Sequence, residues 1–342
     1  MPSSQLILES IATLKRSTFP RQHEKAAETL GLYKDPEAVP HLLEYLNSKE
    51  IFANAKEAAA MALVQIGTPE AIRGVLQSEF KRDTDKAVRY VAVKFAGIRE
   101  IMASQNINKR LNLDEIQPQL PEGVEDILAA YLEKTPSDIH TATARSLVAF
   151  ALGGGRKTDT VVHALRNMLL DETDVAADVL GFNLPMLLDW RNWYYAGSFA
   201  GLSLIRLGDH DSAARIIELA MSKWISSLDE GPNQTALFRY MFDHGWKEMV
   251  PILAEIAINQ SESFSKRHKA LNQLAALDDE KVPSIIAHCW NDSEAGIRLH
   301  VIKKLEQIGD TPLVIQTLTQ MTGDKKMAVR NAAKKALKKL KR

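Results

Sequence analysis

The chain has 342 residues, of which 45% are hydrophobic, so it can bury the core of two average domains or of one elongated repeat array. Aromatic residues make up only 6%, beside 17 glycines and 13 prolines, which disfavours an all-β barrel or sandwich and favours helices. The 43 basic residues balance the 43 acidic ones, so no net charge marks the chain as a general binder of nucleic acids or membrane surfaces.

Cysteine content and the amino-terminal segment predict a cytoplasmic protein. The single cysteine, Cys289, cannot form an intramolecular disulfide, and no Cys/His pairing has the spacing of a zinc site. Segment 1–16 carries an acidic residue inside its apolar stretch and ends in two basic residues, which favours an amphipathic helix over a secretory signal. The most apolar region, 179–188, is interrupted by Asn183 and Pro185 and is too short to span a bilayer.

A short pattern recurs along nearly the whole chain: a helix rich in small residues, a Gly or Asp stop, and a second helix. The first two copies span 24–46 and 55–76, and they align at their alanines, at the predicted stops Gly31 and Gly67, and at the Pro-Glu-Ala that opens the second helix. Seven copies are too many for chance. The later copies begin at Asp85, Thr141, Tyr195, Lys266 and Ala295.

Each copy predicts a packed pair of helices. Alanines such as Ala58 and Ala62 let two helix backbones approach closely. The glycine stops suit the left-handed conformation that ends a helix, and the prolines suit the first turn of the next one, where a missing N–H costs little. Because one pair buries too little apolar surface, neighbouring pairs must stack into a solenoid. The predicted stops and restarts include Gly67, Gly208, Gly309, Pro36, Pro69 and Pro312.

The repeat pattern resembles HEAT repeats, in the short form named after phycobilin lyases. Asp85, Val88 and Arg89 match the first half of that pattern, and Gly309 and Asp310 match the second. The resemblance covers roughly residues 20–342 and implies an all-α, right-handed solenoid of about eight antiparallel helix pairs. It implies one domain over 1–342, with 1–135 and 136–342 as an alternative division into two arcs. The family includes scaffolds, transport adaptors, lyase subunits, chaperone-like factors and DNA glycosylases, so the fold does not choose the function.

Two insertions interrupt the array, at about 102–123 and 171–192, because the predicted stops there are more widely spaced than elsewhere. Extra segments of a solenoid emerge at its loops, which often carry the specific function. The alternative is a tolerated surface excursion, since long loop insertions cost little closure entropy.

The second insertion leads into the densest aromatic cluster of the chain. Trp, Tyr and Arg are the residue types that most often anchor protein interfaces, and flat aromatic rings also stack on bases. We predict a partner-binding site here, with packing of the aromatic rings into the core as the alternative. The cluster comprises Trp190, Arg191, Trp193, Tyr194 and Tyr195, preceded by Asp189.

Arginines recur near the start of the first helix of several repeats. In the family that the pattern resembles, this position faces an acidic residue of the neighbouring repeat, which implies a structural ladder. A row of exposed cations would instead suit acidic peptides or phosphates. We assign Arg239, Arg267 and Arg298 as charges that position a partner. The full set is Arg89, Arg145, Arg239, Arg267, Arg298 and Arg330.

The carboxyl-terminal segment is strongly basic. Residues 325–342 hold nine Lys or Arg and no acidic residue, so the neutral total conceals an acidic body and a basic end. An apolar stripe of Val329, Ala333, Ala336 and Leu340 predicts a helix that docks on the previous repeat. Its lysines either form the solvated outer face of a capping helix or contact nucleic acid or an acidic partner. These contact candidates are Lys334, Lys335, Lys338 and Lys339.

These patterns predict a binding protein rather than an enzyme. We expect no catalytic residues, no metal and no cofactor, because no nucleophile motif, phosphate loop or metal-ligand spacing occurs. The expected function is a cytoplasmic scaffold, adaptor or assembly factor that recognises another protein on its concave face and has no membrane partner. One alternative is a nucleic-acid-binding protein similar to the HEAT-like alkylpurine DNA glycosylases. The other is a lyase or chaperone-like subunit that acts on a cofactor protein.

Overall fold

A computed structural model describes residues 2–49, 52–78, 120–136, 142–171, 196–221 and 236–340. These ranges contain α-helices, short 3-10 helices and turns, and no strand. The predicted all-α class is therefore confirmed. The chain forms two compact units, Met1–Asp209 and His210–Arg342, which are treated separately below.

The described part of the first unit contains nine α-helices, and a 3-10 turn, Pro36–Ala38, precedes the third of them. They are α1 (Pro2–Arg16), α2 (Pro20–Tyr33), α3 (Val39–Leu46), α4 (Ala53–Ile66), α5 (Pro69–Gln77), α6 (Val124–Lys134), α7 (Ala142–Leu152), α8 (Asp159–Asp171) and α9 (Ala196–Arg206).

These helices form two layers, as stacked helix pairs require. In one layer α2 packs on α4, and α7 packs on α9. In the other layer α3, α5, α6 and α8 contact one another in succession. The core lies between the layers and includes the fully buried Leu30, Leu42, Leu63 and Ile72. One helix pair alone would bury little apolar surface, so stacking of the pairs provides the continuous core of an α-solenoid.

Three consecutive residues, Gly67, Thr68 and Pro69, set the boundary between α4 and α5. Gly67 takes a left-handed conformation (φ 78°) that ends α4, as predicted. The Thr68 hydroxyl then accepts a hydrogen bond from the Ala71 N–H at 3.2 Å, and Pro69 occupies the first turn of α5. The helix Pro312–Met321 begins in the same way, because the Thr311 hydroxyl accepts a hydrogen bond from the Val314 N–H and Pro312 occupies the first turn.

The predicted stop at Gly31 is wrong. Helix α2 continues to Tyr33, and Lys34 (φ 53°) takes the left-handed conformation that ends it. Gly31 instead lies where α2 meets α4. A Cβ atom at position 31 would lie 2.8 Å from Cα of Ala62, which is closer than carbon atoms pack. The glycine is needed for the close approach of two helices and not for a turn.

The described part of the second unit contains eight α-helices. The 3-10 turns His210–Ser212 and Cys289–Asn291 adjoin the first and the fifth of them. They are α10 (Ala213–Leu219), α11 (Ala236–Asp243), α12 (Met249–Ile258), α13 (Phe264–Leu274), α14 (Val282–His288), α15 (Ala295–Ile308), α16 (Pro312–Met321) and α17 (Met327–Leu340).

The second unit repeats the two-layer arrangement. Helices α13, α15 and α17 contact one another in succession, as do α10, α12, α14 and α16. The last helix, α17, packs on α15 and α16 and buries Val329, Ala333 and Ala336. The predicted docking stripe is therefore confirmed at these three positions, and Leu340 is half-buried.

The single cysteine lies in the core of the second unit. The Cys289 thiol lies 3.6 Å from the carbonyl oxygen of Ile285 and 3.8 Å from that of Ala257. Burial raises the pKa of this thiol to about 11. Cys289 is therefore a protonated core residue at neutral pH and not a nucleophile.

Candidate binding surfaces

The predicted aromatic site lies outside the described residues. The structure does not describe the five residues of this cluster, which are Trp190, Arg191, Trp193, Tyr194 and Tyr195. Most of both predicted insertions also lies outside the described residues. The partner-binding role of this cluster stays a prediction.

The arginine ladder is present in the second unit. The Arg298 side chain is 2% exposed, and its Nε and Nη2 donate hydrogen bonds to the two carboxylate oxygens of Asp324 at 2.7 and 3.0 Å. Its Nη1 donates to the carbonyl oxygen of Asp292 at 2.7 Å. One repeat earlier, Nη2 of Arg267, which is 3% exposed, donates to the Asp292 carboxylate at 3.1 Å. Each arginine thus binds an aspartate that precedes the next helix of its own layer.

The assignment of Arg267 and Arg298 as partner-positioning charges is therefore corrected. Their guanidinium groups are buried and already bound to carboxylates, so they link consecutive repeats as the ladder interpretation implies. The hydrogen bond from Arg298 also lowers the pKa of Asp324, because it stabilises the ionised carboxylate. Arg239 is different: it is exposed and donates one hydrogen bond, to the carbonyl oxygen of Ala276 at 3.2 Å. The partner-positioning role of Arg239 stays a prediction.

The four predicted lysines lie on the outer side of α17. Lys334, Lys335, Lys338 and Lys339 are all exposed, and their spacing places them on adjoining helix faces. Lys339 forms an ion pair with Glu306. The apolar stripe faces α15 and α16, so the helix presents its basic side to solvent.

A groove with a volume of about 680 Å³ lies between α2 and α4. Its floor is apolar: Ala58 and Ala62 are buried and Met61 is half-buried. Leu32, which is 75% exposed, lies at one end of the groove. The remaining lining residues are charged or polar and form the rim: Glu24, Lys25, Glu28, Thr29, Asn54, Glu57 and Gln65.

The groove follows from the way the two helices pack. Gly31 and Ala62 bring α2 and α4 together, and the small side chains of the floor leave the space above them open. Glu24 and Glu28 are four residues apart, so they share one face of α2, as Glu57 and Met61 share one face of α4. The result is an apolar floor beneath a rim that holds three carboxylates and one lysine.

Sequence reasoning missed this groove. The alanine-rich α4 predicted the close packing, and the four-residue spacing along both helices was visible. However, the alignment of two helices about 30 residues apart decides which of those faces meet, and a one-dimensional pattern does not give that alignment.

Among the described residues, no cluster of three or more His, Cys, Asp or Glu side chains has the arrangement of a metal site. No helix among them combines the length and apolar character needed to cross a membrane.

The stacked helix pairs define an α-helical repeat protein. The family model for HEAT repeats matches residues 9–97 and 250–338, slightly more than half of the chain, so the chain belongs to the HEAT-repeat family. Among solved structures, the complex of CpcE and CpcF of phycocyanin lyase from Nostoc sp. PCC7120 is similar over 91% of this chain and 92% of that chain. The sequence identity is 16% and the TM-score 0.29. No curated protein matches the chain.

Proposed function

We propose that this chain is a non-catalytic protein-binding scaffold and that the groove between α2 and α4 is a docking surface for a partner protein. The observation that supports it is the combination of an exposed Leu32 and a half-buried Met61 with a polar rim in one groove. Protein interfaces combine an apolar centre with a polar rim in the same way, and burial of exposed apolar surface supplies the driving force.

Site-specific photo-crosslinking tests the docking surface. A photoreactive phenylalanine analogue in place of Leu32 should form a covalent adduct of defined mass in cells of the host. The same analogue in place of Leu8 is the matched control, because Leu8 is also a helical leucine, is 67% exposed and does not line the groove. An adduct at both positions, or at neither, would contradict the proposal.

The predicted aromatic anchors belong to the same proposal. If Trp193 contacts the partner, Trp193→Ala should abolish partner capture and leave the thermal unfolding of the chain nearly unchanged. A large loss of stability would instead indicate that this ring packs in the core.

A second candidate function is a contact with nucleic acid through α17. It is supported by the exposure of Lys334, Lys335, Lys338 and Lys339 on one side of that helix. Duplex DNA affinity should then fall steeply with salt, and changing all four lysines to glutamine should reduce the salt dependence by roughly one counterion per lost phosphate contact. This function would be excluded if DNA affinity changed neither with salt nor on replacement of the four lysines.

A further inference from the structure

We infer that the occupant of the α2–α4 groove is a basic, amphipathic α-helix of the partner protein. This inference rests on the proposed function and adds the chemical class of the segment that is bound.

The charge of the rim favours a basic segment. Glu24, Glu28 and Glu57 line the groove, and Lys25 is its one cationic residue. Three carboxylates around one opening attract lysine and arginine side chains and repel acidic segments and phosphates. Nucleic acid is thereby disfavoured at this groove.

The walls of the groove favour a helix. Both walls are α-helices whose backbone groups are bonded internally, so no strand edge is present to which an extended peptide could add. A third helix can instead lay its apolar stripe along the groove, and the small Ala58 and Ala62 of the floor permit a close approach.

The length of the groove sets the size of the bound segment. The α2 wall runs from Glu24 to Leu32, which is about 12 Å of helix, and the α4 wall runs from Asn54 to Gln65, which is about 16 Å. These lengths match two to three turns of a bound helix. An apolar residue once per turn would meet Leu32 and Met61, and basic residues beside that stripe would meet the carboxylates.

A defined peptide probe tests the inference on the full-length protein. The probe is a fluorescent helical peptide of about 15 residues, with leucines at positions that form one stripe and lysines elsewhere. Its matched partner carries glutamate in place of every lysine. Fluorescence anisotropy at low salt should show at least about tenfold tighter binding of the lysine peptide, since the sign of the rim selects it.

Paired variants locate the binding. Leu32→Ala should weaken binding of the lysine peptide roughly three- to tenfold, because an anchor is lost, whereas Leu8→Ala should leave it unchanged. Glu28→Lys should weaken it by a similar factor, whereas Glu44→Lys, the same change at an exposed position outside the groove, should have little effect. Circular dichroism melting establishes that each variant is folded.

Equal losses in the groove variants and their controls, or no preference for the lysine peptide, would overturn the inference. Crosslinking then distinguishes failure of this inference from failure of the proposed docking function. If an adduct forms at position 32 but the peptide series fails, the groove binds a protein segment of another class and the proposed function stands. If the crosslink is also absent, the proposed function fails as well.

Discussion

At the scale of single residues, Arg298 shows how one buried polar side chain joins separate segments of the second unit. Its guanidinium group donates to the Asp324 carboxylate through two nitrogens, and its third nitrogen donates to the carbonyl oxygens of Asp292 and Ser293. A planar guanidinium has the donors to satisfy all of these groups at once, which a lysine ammonium does not. One side chain therefore fixes the start of α15 and the segment before α17.

Loss of this side chain should be costly. Arg298→Ala leaves the Asp324 carboxylate without its buried partner, and we expect the free energy of unfolding to fall by about 3 kcal/mol. Arg239→Ala removes an exposed side chain with one hydrogen bond and should cost less than about 1 kcal/mol. Urea unfolding of the full chain measures both. A similar loss of unfolding free energy in both variants would show that the buried pairing of Arg298 with Asp324 does not stabilise the fold more than the exposed Arg239 does.

The same ion pair should make stability depend on pH. The pKa of Asp324 is lower in the folded protein than in the unfolded chain, so the unfolded state binds protons more readily. The contribution of Asp324 is therefore complete above the unfolded value of about 3.9 and is lost as the pH falls through the lower folded value.

We accordingly expect Asp324→Asn to be most destabilising near neutral pH and to approach the wild type in strong acid. The control is Asp310→Asn, which changes an exposed carboxyl group in the same unit. Unfolding curves at several pH values, from about 7 down to about 2, measure the difference between variant and wild type. A difference for Asp324→Asn that does not shrink in acid would contradict this linkage.

At the scale of elements, the contact of α2 with α4 depends on the absence of a side chain at Gly31. Alanine is the better helix former by about 1 kcal/mol, and substitution alone would stabilise an isolated α2. In the folded protein the added Cβ would meet the backbone of Ala62, which cannot move without displacing α4.

Gly31→Ala should therefore lower the free energy of unfolding by roughly 1–3 kcal/mol, the usual cost of overpacking. Gly296→Ala is the control. There the added Cβ would lie 2.7 Å from Cε2 of Phe264, a partly exposed ring that can rotate away, so we expect no loss. Thermal unfolding measures the stability of both variants. If Gly31→Ala were as stable as Gly296→Ala, α2 and α4 could move apart to admit the added methyl group without cost.

The same two helices show what the sequence could predict. The end of α4 at Gly67 and the start of α5 at Thr68 and Pro69 follow from local backbone chemistry, and both were predictable. Gly31 has the same identity and a similar place in its repeat, yet it lies inside a helix. Its role depends on Ala62 of the neighbouring repeat, which local rules do not include.

The arginines show the same limit at the site. Their repeated position was visible in the sequence, and it allowed both a ladder and a partner-binding row. Arg298 is buried because Asp324 lies opposite it in the next repeat, whereas Arg239 is exposed beside the backbone of Ala276. Whether a repeated arginine is buried therefore depends on the residues of the neighbouring repeat, and its position within its own repeat does not determine this.

At the scale of the whole molecule, charge is separated along the chain. The segment 325–342 carries nine basic residues and no acidic ones, so the rest of the chain has an equal excess of acidic residues. Helix α17 is also structural, because Val329, Ala333 and Ala336 are buried against its neighbours. Its charge and its packing must therefore be tested separately.

We expect removal of residues 325–342 to destabilise the second unit, because apolar surface of α15 and α16 would be exposed to water. Glutamine at Lys334, Lys335, Lys338 and Lys339 should leave the Tm within a few degrees and reduce retention on a cation-exchange column. A Tm loss from the glutamine variant as large as that from the deletion would contradict this division of roles.

The buried thiol described above has a practical consequence for studies in solution. Cys289 is the single cysteine of the chain, and with a pKa of about 11 it reacts slowly with maleimides at neutral pH. A cysteine introduced at exposed Lys25 or Leu8 would therefore be labelled selectively in the otherwise native chain. Lys25 lines the groove and is not one of its apolar anchors, so a fluorophore at position 25 would report when the groove is filled, and one at position 8 would provide the reference signal.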